Sequence, residues 1–243
     1  MLIRRILVIT VATLLTAGIA VADMKIVKKT HQDGFTIMGQ TQPPEDREQT
    51  TWIGSDRMHM DQGERATIVR LDTMKLYVID HATQTYHVLD LPIDLSTLAP
   101  PEMQPMLAMM QFDVTVTPTD EHQKVGEWDT TRFDMTMSSQ MFTMKSTLWV
   151  AKVDGYDAEQ YYSMYSHLNS LQPGMADAVN QMRKIDGLVV KQTSVMTMMG
   201  NDVSTSEKTI SIETVDAPSG TYDPPSNYSE KPFDFMQQMQ AGR

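Results

Sequence analysis

Apolar and polar positions change period along the chain. From Phe35 to Asp90 they alternate in short runs, clearest between Ala66 and Asp90. There ATIVRLD, KLYVID and QTYHVLD are β-branched and aromatic, separated by turn-like breaks at Asp72-Thr73 and His81-Ala82. Breaks this short leave no room for crossover helices, so neighbouring strands pair as antiparallel hairpins. REQTTWI and DRMHMDQ, parted by Gly54-Ser55, read as one more hairpin upstream. The period then lengthens. After the proline-rich Leu98 to Pro101, the positions Met103, Met106, Leu107 and Met110 share one face of a short helix. Strand signals resume in QFDVTVT, DTTRFDMTM and QMFTMKSTLWVA.

A second helix is predicted from about Ala158 to Leu171. Asp157 serves as its N-cap with Gln160 three residues on, and Tyr161, Met164, Tyr165, Leu168 and Leu171 form its apolar stripe. Pro173-Gly174 ends it, and a shorter helix carries Met175, Val179 and Met182. The last two strands, GLVVKQTSVMTMM and VSTSEKTISIETV, turn around Gly200-Asn201. Beyond Asp216 the Pro, Ser and Gly content predicts an extended tail, 216–243, with little core of its own. The expected fold class is mainly β with α: one strongly curved antiparallel sheet, an incomplete β-barrel, covered on its concave face by short helices. A sandwich is the competing arrangement, but it needs no amphipathic helices to close it.

The first residues concern address. Arg4 and Arg5, the apolar stretch Ile6 to Val21, and Ala20-Val21-Ala22 before Asp23 have the three parts of a cleavable secretory signal, so residues 1–22 are expected to be removed. An uncleaved anchor is the alternative, weakened by Thr10, Thr13, Thr16 and Gly18 within the apolar stretch. Residues 23–215 then form a single domain, periplasmic or secreted. The chain has no cysteine, which leaves out a lipidated N-terminus, disulfides, thiol catalysis and Cys-based zinc sites. Without Arg4 and Arg5 the balance is 18 basic to 31 acidic residues, a net charge of −13 that disfavours nucleic acid and anionic membrane surfaces.

One composition number changes the functional picture: 22 methionines against 6 phenylalanines and 3 tryptophans. Methionine makes an apolar wall deformable and tolerant of guest shape. Phe133, Met135 and Met137 share a strand face. A turn at Ser138-Ser139 would set Met135 opposite Phe142 and Phe133 opposite Met144. Met196 and Met198 make a similar pair, and Met106 and Met110 on the first helix could lie over them. These nine residues are the candidate lining of a cavity for a lipid or acyl chain; plain core is the bland alternative. Met58-His59-Met60 suggests soft Cu(I) ligands, although on a strand His59 points away from both methionines. No cofactor motif is present. His31, His59, His81, His87, His122 and His167 fall in no zinc pattern, although His81 and His87 bracket a hairpin turn and could approach each other, and there is no nucleophile elbow, P-loop or dinucleotide fingerprint. The reading is non-catalytic, with a hydrophobic small molecule or lipid as partner, and other envelope proteins as further candidates.

Several short motifs, in order, resemble the LolA/LolB-like lipoprotein-carrier superfamily. They are Asp56-Arg57-Met58, the Thr67 to Asp80 hairpin with Lys75, Tyr77 and Asp80, then Thr85-Tyr86, Leu148-Trp149-Val150, and Pro224-Pro225-Ser226-Asn227-Tyr228. Within that superfamily the chain is most similar to an uncharacterised family of exported bacterial proteins with a domain of unknown function. The resemblance implies a half-barrel with helices as a lid over a cavity that, in the carriers, holds acyl chains. The lipidated cysteine of the anchored members has no counterpart here, and the carriers' gating residues find no match.

Overall fold

A computed structural model describes residues 22–37, 40–94, 98–103, 113–169, 175–198 and 200–235. The signal segment, apart from Ala22, and the Met106–Met110 helix face lie outside the described residues. Among those described, the strands are β1 Met24–Gln32, β2 Phe35–Ile37, β3 Gln40–Gln42, β4 Glu45–Ile53, β5 Arg57–Asp61, β6 Arg65–Arg70, β7 Lys75–Asp80, β8 Thr85–Asp90, β9 Asp113–Val125, β10 Trp128–Ser138, β11 Phe142–Ala151, β12 Leu188–Met198, β13 Asn201–Thr214 and β14 Ser229–Glu230. The helices are α1 Ala158–Asn169 and α2 Met175–Met182.

All but β2 and β3 join one sheet in the order β14-β8-β7-β6-β5-β4-β1-β13-β12-β11-β10-β9. Its pairings are antiparallel except for the terminal β14-β8. The two long meanders, β4–β8 and β9–β13, are stitched together by β1, which lies between β4 and β13. The sheet is curved and does not close into a barrel. Laid flat, β5 and β11 would be about 24 Å apart at the usual strand spacing. Yet α1 touches both: Met164 packs with Met58, Val69, Leu76 and Leu89, while Tyr162 packs with Val114, Val116 and Leu148. A helix is only about 10–12 Å across, so the sheet has to wrap round it. The expected half-barrel with helices on the concave side is what forms.

Local chemistry explains the helix. Asp157 Oδ1 accepts from the Gln160 backbone N–H at 3.0 Å, the expected N-cap. The Gln160 side chain does not return to complete the box; its Nε2 donates to the Gly54 and Ser55 carbonyls at 2.6 Å each, tying the helix start to the β4–β5 turn. The buried stripe is also wider than the sequence pattern predicts, because Tyr162 joins Met164 inside and donates to the Ile185 carbonyl at 3.2 Å.

The convex face of β4–β8 is covered as well. Ala66, Ile68 and Ile79 pack with Tyr222, against Trp52, Tyr77, Tyr86, Ala217 and Tyr228. Residues 216–235 thus form a strap. Arg70 donates to Asp223 at 2.7 Å, Arg57 lies over the Tyr222 ring at 4.8 Å, and β14 extends the sheet beside β8. The strap rounds the β8 edge, since Phe233 packs on the concave-side cluster of Leu89 and Leu91. His81 and His87 do not meet; His81 Nδ1 bonds the Tyr228 hydroxyl at 2.9 Å, and His87 Nδ1 donates to the Lys231 and Pro232 carbonyls at 3.0 and 2.9 Å.

Candidate functional site

The site follows from what faces inward on the concave side. A cavity of about 290 Å³ lies between the sheet and α1. Its apolar floor includes Ile26, Ile53, Met60, Met135, Leu148 and Val189. One end of the sheet behind it is plugged by a cluster of Met24, Ile26, Val125, Ala151, Leu188 and Val190. Backbone approach is close here: a Cβ on Gly187 would sit 2.5 Å from the Ala151 carbonyl oxygen.

The roof is aromatic. Tyr156, Tyr161, Tyr162 and Tyr165 all line the cavity. Tyr161 stands at the centre of the set, its ring 6.1 Å from Tyr156, edge-on to Tyr162 at 5.6 Å and stacked with Tyr165 at 6.4 Å. Burial first, then Tyr165 and Glu207, push the Tyr161 hydroxyl up to about 12; burial likewise raises Tyr156 and Tyr162 above the ordinary phenol range. These phenols stay neutral at physiological pH.

Polar groups interrupt the floor. Lys28 Nζ donates to Glu207 Oε1 at 2.8 Å, and both side chains border the cavity, 19% and 27% exposed. Gln49 and Thr51 on β4 and Gln192 on β12 flank them. Cross-strand register makes this a band: Gln49 faces Lys28, and Glu207 faces Gln192. Ser146 and Ser194 continue it, buried and hydrogen-bonded to one another at 2.8 Å.

The sequence-predicted residues separate into groups. Met135 lines the cavity. Phe133 and Met137 pack, with Met135, against the Val114, Val116 and Leu148 cluster. Met144 and Met196 are half-buried towards the other end of the sheet, in a row that reads Val114, Met137, Met144, Met196, Val203 across five strands. Phe142 pairs with Met198 beside that row. The expected register between β10 and β11 is corrected: Met135 faces Ser146 and Phe133 faces Leu148, not Phe142 and Met144. The cause is the turn, where Ser139 Oγ accepts from the Met141 and Phe142 N–H groups and delays the second strand. Facing direction survives, because the slip is an even number of residues.

Met58, His59 and Met60 do not converge. Met58 is fully buried on the concave side opposite Val69, whereas His59 pairs with Ile68 on the other face. Among the described residues no group of three His, Asp or Glu side chains is placed to hold a metal. Of the predicted residues that are described, only Met135 is in the cavity lining; the sequence pattern missed the apolar Ile26, Ile53, Met60 and Leu148, the four tyrosines, and the polar Lys28, Gln49, Gln192 and Glu207. No helix among the described residues is long and apolar enough to cross a membrane.

Comparisons with solved structures give distant likenesses. A domain from Vibrio parahaemolyticus described as an outer membrane lipoprotein-sorting protein is 10% identical, covering 83% of this chain and 89% of its own, with a TM-score of 0.30. A DUF1329 family protein from Desulfovibrio piger is also 10% identical, covering 85% of this chain and 91% of its own, with a TM-score of 0.31. No curated protein matches the sequence. A family model does: residues 32–228 match a domain of unknown function, meeting the resemblance to an uncharacterised family read from the motifs, and the chain belongs to the DUF4412 family.

Proposed function

We propose that this is an exported bacterial envelope protein that binds a lipid or acyl chain, without catalysis, between its curved sheet and α1. The observation that carries the reading is the cavity: about 290 Å³, walled by Ile26, Ile53, Met60, Met135 and Leu148 below and tyrosine rings above. That volume is at the small end for a ligand pocket and suits one chain better than several. Each methylene withdrawn from water contributes about 0.8 kcal/mol. Thioethers at Met60 and Met135 let the wall adjust to the length and bend of the guest. The signal-like first residues and the resemblance to lipoprotein carriers support the same address and guest.

The test is native mass spectrometry on residues 23–243, exported and purified without detergent. The expected result is an adduct extractable into organic solvent, lost when Met60→Trp and Met135→Trp fill the cavity together. A variant that folds, keeps the cavity filled by both indoles and still carries the adduct places the guest elsewhere.

A further inference from the structure

The polar band in the floor is at odds with a purely hydrocarbon guest. A charged pair drawn partly out of water is unfavourable unless its remaining hydrogen-bonding capacity is met. Among the described residues it is only partly met. Lys28 Nζ has three donors and directs one to Glu207 Oε1; among the described residues Glu207 Oε2 accepts no hydrogen bond. Both groups open onto the cavity, one positive and one negative, with the amide of Gln192 and the Tyr161 and Tyr165 side chains lining the same space.

Resting on the lipid-binding reading of this cavity, we propose that the site reads a zwitterionic headgroup, an ammonium and a phosphate on one amphiphile, of the phosphoethanolamine kind. The phosphate takes the spare donors of Lys28. The ammonium takes Glu207 Oε2. An anionic headgroup meets Lys28 but is repelled by Glu207, and an uncharged one leaves both charges without new partners. The acyl chain then lies over Ile26, Ile53, Met60 and Leu148, so polar band and apolar floor serve the two ends of one molecule.

The experiment compares three ligands with the same palmitoyl chain on the delipidated protein, by competition in native mass spectrometry. They are lysophosphatidylethanolamine, lysophosphatidylglycerol and monopalmitoylglycerol. The ethanolamine lipid is expected to bind about tenfold tighter than either of the others. Lys28→Gln combined with Glu207→Gln should collapse that ratio to near one. If the double variant fails to fold, Lys28→Glu with Glu207→Lys keeps the ion pair and should lose the preference, because the acyl chain fixes the direction in which the headgroup lies. Three equal affinities in the wild type overturn the headgroup assignment and leave the lipid site standing. A preference for the anionic lipid that vanishes with Lys28→Gln alone overturns the zwitterion. Failure of all three lipids to bind removes the lipid reading and this inference with it.

Discussion

Gly187 is a residue whose side chain, a single hydrogen, matters to its surroundings. A methyl group there would meet the Ala151 carbonyl at 2.5 Å and Val150 Cγ1 at 2.9 Å, so β11 or β12 must shift. Gly187→Ala is expected to destabilise by about 1–3 kcal/mol, read from urea unfolding. Met164 is the opposite case, a large side chain without exposure in the cluster that joins α1 to β5–β8. Met164→Ala should cost about 2–5 kcal/mol by the same measurement and loosen the roof of the cavity. His59 adds a pH dependence. Burial, the largest effect, lowers its pKa from 6.5, and among the described residues neither ring nitrogen has a hydrogen-bond partner. The unfolded chain therefore binds a proton that the folded one refuses; stability is full above 6.5 and falls as pH drops from there towards the depressed folded value. His59→Leu should flatten the decline in melting temperature between about pH 7 and about pH 5 relative to wild type. Parallel pH profiles would show that His59 does not titrate in that range. His31 works in the other direction, its pKa raised chiefly by the hydrogen bond to Asp46, but it is exposed and common to both proteins.

At the scale of elements, the two hairpin turns β6–β7 and β7–β8 have the same backbone. Met74 and Gln84, in corresponding places, carry φ of 53° and 52°, conformations that side chains disfavour. Gln84→Gly is therefore expected to be neutral or to stabilise by up to about 1 kcal/mol, against the usual trend for a new glycine. The same hairpins were the most legible part of the sequence, because their alternation is local. β1 was not legible: MKIVKKTHQ carries three lysines, and its Lys28 faces inward only because Glu207, far along the chain, meets it. The strap was legible as extended chain but not as a covering element. Its burial depends on single tyrosines, Tyr222 and Tyr228, whose partners in β6 and β7 are remote in sequence. Strand period alone puts Phe133, Met135 and Met137 on one face, and all three pack against the cluster of Val114, Val116 and Leu148. Which part of that face borders the cavity was not legible, because the position of α1 over the sheet has no local signature. Ending the chain after Val215 removes the strap and uncovers Ile68 and Ile79. The truncated protein should melt at lower temperature and scatter light on standing, as an exposed edge and apolar face would require.

For the whole molecule, an open sheet has two edges to guard, and each has its own device. β8 is covered by β14 and the strap. At β9, Pro118 removes a donor, and α2 leans against the strand: Val116 N–H donates to Gln181 Oε1 and Lys184 Nζ to the Val116 carbonyl, both at 3.4 Å. Guarded edges let the sheet stay unclosed, with α1 packed on its concave side. The placement of β1 has a consequence for timing. Its partners β4 and β13 come from opposite ends of the chain, and Lys28 and Glu207 are 179 residues apart. Synthesis delivers one member of that pair near the start and the other near the finish. Until the last strands emerge, the middle of the sheet has one neighbour missing and the cavity lacks a wall. A growing polypeptide therefore has neither a continuous sheet nor a walled cavity until β13 is made, so completion of the fold waits on the end of synthesis.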